Sequence, residues 1–356
     1  MRKWLIMAGA LALAAASSAG FAQAEKLKAC WVYVGPVGDF GYSYQHDQGR
    51  KQVEKELGDK VETSYVENVA EGPDADRAIE RLARENCKIV FATSFGFMDS
   101  VIKVAKKFPK VKFEHATGYK TAKNVAIYNA RFYEGRYVMG EIAAKVSKAG
   151  LAGYIVSFPI PEVVMGINSF MLGAQSVNPN FKIKIVWVNS WYDPGKEADA
   201  AKVLFGQGAD IIVQHTDSTA ALQIAEEKGM HGFGQSSDMI KFAPHAQLTA
   251  NTDSWGDYYV QEVKKVLDGT WKTGDTWGGM AQNMVVLAPF TNMPDDVKKM
   301  AEDSVAKIKA GTLLPFTGPI TKQDGTVVGE AGKSLPDKDL LGMNWYVKGV
   351  DDQLPK

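Results

Sequence analysis

Little in this chain would let it hold a metal, cross a bilayer or grip a polyanion. Cysteine is scarce: only Cys30 and Cys87 occur in 356 residues, with five histidines. Neither cysteine has a second Cys or a His at ligand spacing, and the histidines form no metalloprotease pair, so a metal site is not expected. Charge of one sign is also missing, with 41 basic residues against 41 acidic ones. That balance removes the electrostatic footprint of a nucleic-acid or anionic-membrane partner. Past residue 24 no apolar run is long enough to span a bilayer. There is no Gly-Lys-Ser/Thr phosphate loop, and Gly35-Pro36-Val37-Gly38 lacks the spacing of a dinucleotide loop. His215, Asp217 and Ser218 stand too close along one strand end to work as a triad, and no nucleophile elbow accompanies them. The expectation is a binding protein without cofactor rather than an enzyme.

What is present begins at the N-terminus. Arg2 and Lys3 precede an apolar run from Trp4 to Ala16, and Ala22-Gln23-Ala24 is a small-x-small cleavage site. This reads as a secretory signal peptide over residues 1–24. No Cys follows the run, so the usual lipid-attachment signal is missing. The expectation is a freely diffusing periplasmic protein starting at Glu25. Without Arg2 and Lys3 the basic residues fall to 39 against 41 acidic ones, a net charge of −2. In an oxidising compartment Cys30 and Cys87 either pair or remain two buried thiols.

The rest alternates short apolar runs with amphipathic stretches. Strands are expected at Lys28-Val34, Val61-Val66, Lys88-Ala92, Val111-His115 and Val125-Tyr128, with helices at Asp74-Glu85 and Asp99-Phe108 between them. The pattern then restarts. Gly153-Val156, Lys182-Val188 and Asp210-Gln214 read as strands, and Ile167-Val177, Glu197-Phe205 and Ala220-Lys228 as helices. The fold class expected is α/β, with two similar Rossmann-like lobes built on parallel sheets. Ser254 to Leu267 adds a helix, and Met284-Pro289 an extended crossing. Three crossings near 130, 250 and 283 form the hinge. Lobe 1 is then 25–129 plus 250–282, and lobe 2 is 130–249 plus 283–356. Asp324-Gly325 marks a C-terminal hairpin, with a last short strand at Asn344-Val347.

Open parallel sheets bind ligands at the carboxyl ends of their strands. On one wall those ends carry Asp39, Phe40, Tyr42 and Tyr44, then Ser94 and Phe95. The other wall carries Trp191, His215, Asp217, Ser237 and Asp238, and Trp255 follows the hinge. Rings and carboxylates together suit a flat ligand that stacks and donates N–H groups. Sugars use the same surfaces.

Several segments resemble the basic membrane protein family. They are Phe158-Pro159-Ile160-Pro161-Glu162-Val163, Gly173-Ala174-Gln175-Ser176-Val177-Asn178-Pro179, Gly208-Ala209-Asp210-Ile211-Ile212, Gln214-His215-Thr216-Asp217-Ser218 and Val266-Leu267-Asp268-Gly269-Thr270-Trp271. The resemblance covers essentially the whole chain after residue 24. It implies a type I periplasmic-binding fold, a substrate-binding role in an ABC importer, and a membrane permease as partner to a monomer. Characterised members commonly bind purine nucleosides. By position, the family's base-reading Asp is Asp39 and its stacking aromatic is Trp191. Where the family places an Asp and a Lys for the ribose, this chain has Ser236 and Asp253. That departure favours a purine base such as adenine over a nucleoside, with Trp255 taking part of the sugar's volume. A sugar receptor or a secreted enzyme on a similar scaffold are the other readings.

Overall fold

The computed structural model describes residues 25–355. The expected signal peptide at 1–24 lies outside them. The chain begins with β1 (Leu27–Tyr33), α1 (Tyr42–Leu57), β2 (Val61–Val66), α2 (Pro73–Arg84), β3 (Ile89–Thr93), α3 (Met98–Lys107), β4 (Lys112–Ala116) and β5 (Val125–Ala130). It continues with α4 (Phe132–Val146), β6 (Leu151–Val156), α5 (Pro161–Val177), β7 (Lys182–Trp187), α6 (Pro194–Gly206), β8 (Ile211–His215), α7 (Ala220–Glu227), β9 (His231–Ser236) and β10 (Gln247–Asp253). It then passes through α8 (Gly256–Leu267), β11 (Asp275–Gly278), β12 (Val285–Leu287) and α9 (Asp295–Lys309).

Two six-stranded sheets result, ordered β2-β1-β3-β4-β5-β11 and β7-β6-β8-β9-β10-β12. Only β12 runs antiparallel to its neighbour in these sheets. Each repeats the doubly wound order 2-1-3-4-5, whose switch point lies between the first and third strands. The expected α/β class with two similar lobes is borne out. The chain passes between sheets after β5, after β10 and after β11. β10 stays with the second sheet through Asp253, three residues beyond the expected return at 250.

The strands are near-continuous apolar runs because helices cover both faces. Along β1, Ala29, Trp31 and Tyr33 join the core under α1 and α8, while Cys30 and Val32 join that of α2 and α3. Both cysteines sit on that second side, and they form a disulfide. Their proximity follows from the β1–β3 pairing, which sets Cys30 opposite Val90. In lobe 2, α4 and α5 touch backbone to backbone. A Cβ on Gly140 would lie 2.8 Å from the Ala174 nitrogen, and one on Gly173 would lie 2.8 Å from the Tyr137 carbonyl carbon.

Two expectations shift. The helix expected at Ile167-Val177 starts at Pro161. Proline is pre-organised for a first turn, so the helix extends back through Gly166. The hairpin forms as β13 (Ile320–Thr321) and β14 (Val327–Val328), but Asn344-Val347 makes only a bridge from Val347 to Lys322. No helix among the described residues is long and apolar enough to cross a membrane.

Candidate functional site

The switch points of the two sheets face each other. The loops after β1 and β3 meet those after β6, β7 and β8 around a small chamber. Val34, Tyr42, Ser94, Phe95 and Thr117 line it from lobe 1, and Ile160, Glu162, Trp191, His215, Asp217 and Gln235 from lobe 2. Aromatic rings thus stand on both walls, Tyr42 and Phe95 on lobe 1 and Trp191 on lobe 2. Phe158 packs behind Trp191, with ring centroids 5.0 Å apart.

The lobes are in contact across this chamber. The indole N–H of Trp191 donates to Glu71 Oε1 at 3.2 Å. The same oxygen accepts from Ser94 Oγ at 2.6 Å and from the Gly96 N–H at 3.2 Å. One carboxylate therefore ties both aromatic walls together. Nearby, the Ser237 hydroxyl donates to the Phe40 carbonyl. Gly41 lies against the Asp217 backbone, where an added Cβ would sit 2.8 Å from Asp217 Cα and closer still to its carbonyl oxygen.

Of the residues expected in the site, Tyr42, Ser94, Phe95, Trp191, His215 and Asp217 line the chamber. The others do not, each for a physical reason. Asp39 is buried behind the loop. Its Oδ1 accepts from the backbone N–H groups of Gly41 at 2.8 Å and Tyr44 at 2.9 Å, and its Oδ2 from Ser43 at 3.1 Å. Those donors are the orphan N–H groups where α1 begins, so Asp39 anchors the loop that presents Tyr42. Phe40 and Tyr44 pack on each other, and Lys241 lies over the Phe40 ring. Ser237 latches the lobes, and Asp238 Oδ1 accepts from Ile240 N and Gln247 Nε2 in its own lobe. Trp255 stacks on His46 at 4.8 Å and packs against Tyr128 and Phe132, inside the core near the hinge. It lines neither the chamber nor the hollow beside it.

The chamber's polar lining was only partly anticipated. Tyr42 Oη, Glu162 Oε2 and His215 Nδ1 are shut off from solvent without hydrogen-bond partners among the described residues. Buried polar groups left unpaired cost roughly 1–3 kcal/mol each, so these three atoms call for a polar ligand. Tyr42 and Glu162 share one signal, the first turn of a helix that follows a strand. In Glu162 it was written as Pro161-Glu162, a Pro and an acid opening a helix.

Burial dominates the electrostatics. Desolvation pushes the Glu162 carboxyl up to about 7, against the pull of Asn129 and Arg136. It raises Asp217 well above the usual carboxylate range, and the Asp39, Glu197 and Asp253 carboxylates add to the rise. Asp39 is lifted to about 6, because burial outweighs its three backbone N–H donors. His215 is held down to about 3 by burial and by Arg136, so its imidazole is neutral. Its Nε2 lies 3.7 Å from Glu162 Oε1, a contact that is no ion pair while the ring stays neutral. The lining can accept and donate hydrogen bonds to a flat ligand, but it has no nucleophile poised beside a base. Among the described residues no group of His, Cys, Asp and Glu is placed to hold a metal.

A family described as PnrA-like ABC transporter substrate-binding proteins, Bmp, matches the chain over residues 26–314. A purine-binding protein of Brucella abortus is 66% identical over 332 residues, covering 93% of this chain and 95% of its own. A protein of Haloferax volcanii, provisionally named an ABC transporter glucose-binding protein, is 34% identical over 337 residues, or 94% of this chain and 83% of that one. Among solved structures, an ABC transporter solute-binding protein of Aeropyrum pernix superposes with a TM-score of 0.70. At 16% identity over 80% of this chain and 92% of that one, this likeness is one of fold alone.

Proposed function

Because the chain belongs to the Bmp family of ABC transporter substrate-binding proteins, we propose that its chamber takes a free purine base, adenine foremost, and presents it to a membrane permease. The observation that carries the reading is the lining itself. Aromatic rings from both lobes accompany three buried polar atoms that lack partners among the described residues. A purine offers two π-faces for the rings and an edge of alternating donors and acceptors for the polar atoms. The purine-binding relative from Brucella abortus supports the same class of ligand. Secretion to the periplasm, as read from residues 1–24, would place the protein where an importer collects its substrate.

A nucleoside is the second reading, and one observation favours it. A hollow beside the chamber shares Phe95, Thr117, Ile160 and Glu162 with it, and would give a sugar on the base somewhere to go. Ser236 and Asp253 weigh against it. Both are buried where the resemblance put the ribose-holding pair, and neither lines the chamber. Calorimetry on protein that has been unfolded and refolded, and so freed of carried ligand, separates the two. Adenine should bind more tightly than adenosine. Trp191→Ala should weaken adenine by about 1–3 kcal/mol, the scale of base–aromatic stacking. Tighter binding of adenosine would replace the base by the nucleoside.

A further inference from the structure

Glu162 stands in the first turn of α5, and one of its oxygens lines the chamber with no partner among the described residues. We infer that Glu162 reads the ligand as a neutral carboxylic acid, and that it selects a purine edge carrying an amino donor beside a ring-nitrogen acceptor. The inference rests on the purine reading above and names the group that decides which purine fits.

Donors and acceptors on the two partners must match. An ionised carboxylate only accepts hydrogen bonds, whereas a protonated one sets an O–H donor beside an acceptor. A 6-aminopurine shows an N–H donor beside a ring-nitrogen acceptor. The neutral acid satisfies both atoms, and the ionised form would press its charge against the ring-nitrogen lone pair.

The groups around Glu162 allow the neutral form. Asn129 at the end of β5 and Arg136 on α4 face it and favour the charged state. So does the positive end of α5 itself. His215 on β8 is a neutral ring that offers no counter-charge. The Tyr42 hydroxyl on α1 and the Asp253 carboxyl on β10 also lie within its field. Burial, with Glu162 adding to it, raises the Asp253 carboxyl well above the usual carboxylate range. Desolvation outweighs the two favourable partners and leaves the acid poised near neutrality.

A linkage then follows. Below about pH 7 the acid already carries its proton, and adenine affinity is flat. Above that, each pH unit weakens adenine by up to about tenfold, because binding must take up the missing proton. An amide carries the same donor and acceptor pair without titrating.

Calorimetric titrations of wild type, Glu162→Gln and Glu162→Ala with adenine and with unsubstituted purine, between pH 6 and 8.5, test this. Circular dichroism checks the fold of each variant. Wild type should lose adenine affinity with rising pH. Glu162→Gln should match wild type within about threefold at pH 6 and hold that affinity to pH 8.5. Glu162→Ala should lose about tenfold or more at pH 6, and unsubstituted purine should bind wild type about tenfold more weakly than adenine. The inference is overturned if Glu162→Gln loses as much as Glu162→Ala, if it keeps the wild-type pH slope, or if the amino group makes no difference. Failure of both purines to bind wild type at any pH overturns the purine reading itself, a distinct result.

Discussion

Gly41→Ala should weaken purine binding by about 100-fold or more, equivalent to roughly 2.7 kcal/mol, with ligand-free stability changed by no more than about 0.5 kcal/mol. Gly41 belongs to the loop before α1, and Asp217 follows β8 on the other lobe. In the closed molecule a methyl at Gly41 would lie 2.8 Å from Asp217 Cα, inside van der Waals contact with backbone that has no rotamer to yield. The lobes must part to relieve it. Parting strains the Trp191–Glu71 hydrogen bond and the Ser237–Phe40 latch together, and separates Phe95 from the opposite wall. With the lobes apart the methyl meets nothing of lobe 2, so the ligand-free protein keeps its stability. Calorimetry gives the affinity, and small-angle X-ray scattering with saturating adenine shows whether the variant still compacts. Wild-type affinity in Gly41→Ala would show that the lobes do not meet there when ligand is bound.

The double substitution Cys30→Ala, Cys87→Ala should cost about 4 kcal/mol of unfolding free energy. The bridge spans 57 residues, and chain-entropy bookkeeping for a loop of that length gives about 4 kcal/mol at 25 °C. Both cysteines are fully buried, and they tie together the two strands whose ends frame the lobe 1 wall. Urea unfolding of oxidised wild type against the variant measures the difference. A loss under about 1 kcal/mol would mean that the β1–β3 pairing survives in the unfolded chain or that the bridge strains the native one.

The elements that carry the site were legible because parallel strands covered on both faces read as unbroken apolar runs. Ser94, Phe95, Trp191, His215 and Asp217 follow directly from strand ends, and the doubly wound order brings them together. Asp39 shows the limit of that reasoning. Its place after β1 was right for a ligand contact, but α1 begins at Tyr42. A carboxylate three residues before a helix finds backbone donors closer than any ligand. A shift of one or two residues in a helix start decides between those roles, and sequence fixes such boundaries poorly. Glu162 was hidden by the reverse error, because a helix start placed at Ile167 left it in a loop. Trp255 turned on tertiary pairing. Only the packing of α8 against α1 puts it on His46 rather than in the chamber. The disulfide was half legible, since the sequence placed the two cysteines at strand starts but not the order of the strands.

The relatives' names divide on ligand class, one for purines and one, provisionally, for glucose. Titration of ligand-stripped protein with adenine and, separately, with glucose at pH 6 addresses that division directly. Adenine should bind one-to-one, and glucose should give no heat at the same concentrations. Saturable glucose binding with no response to adenine would contradict the purine reading.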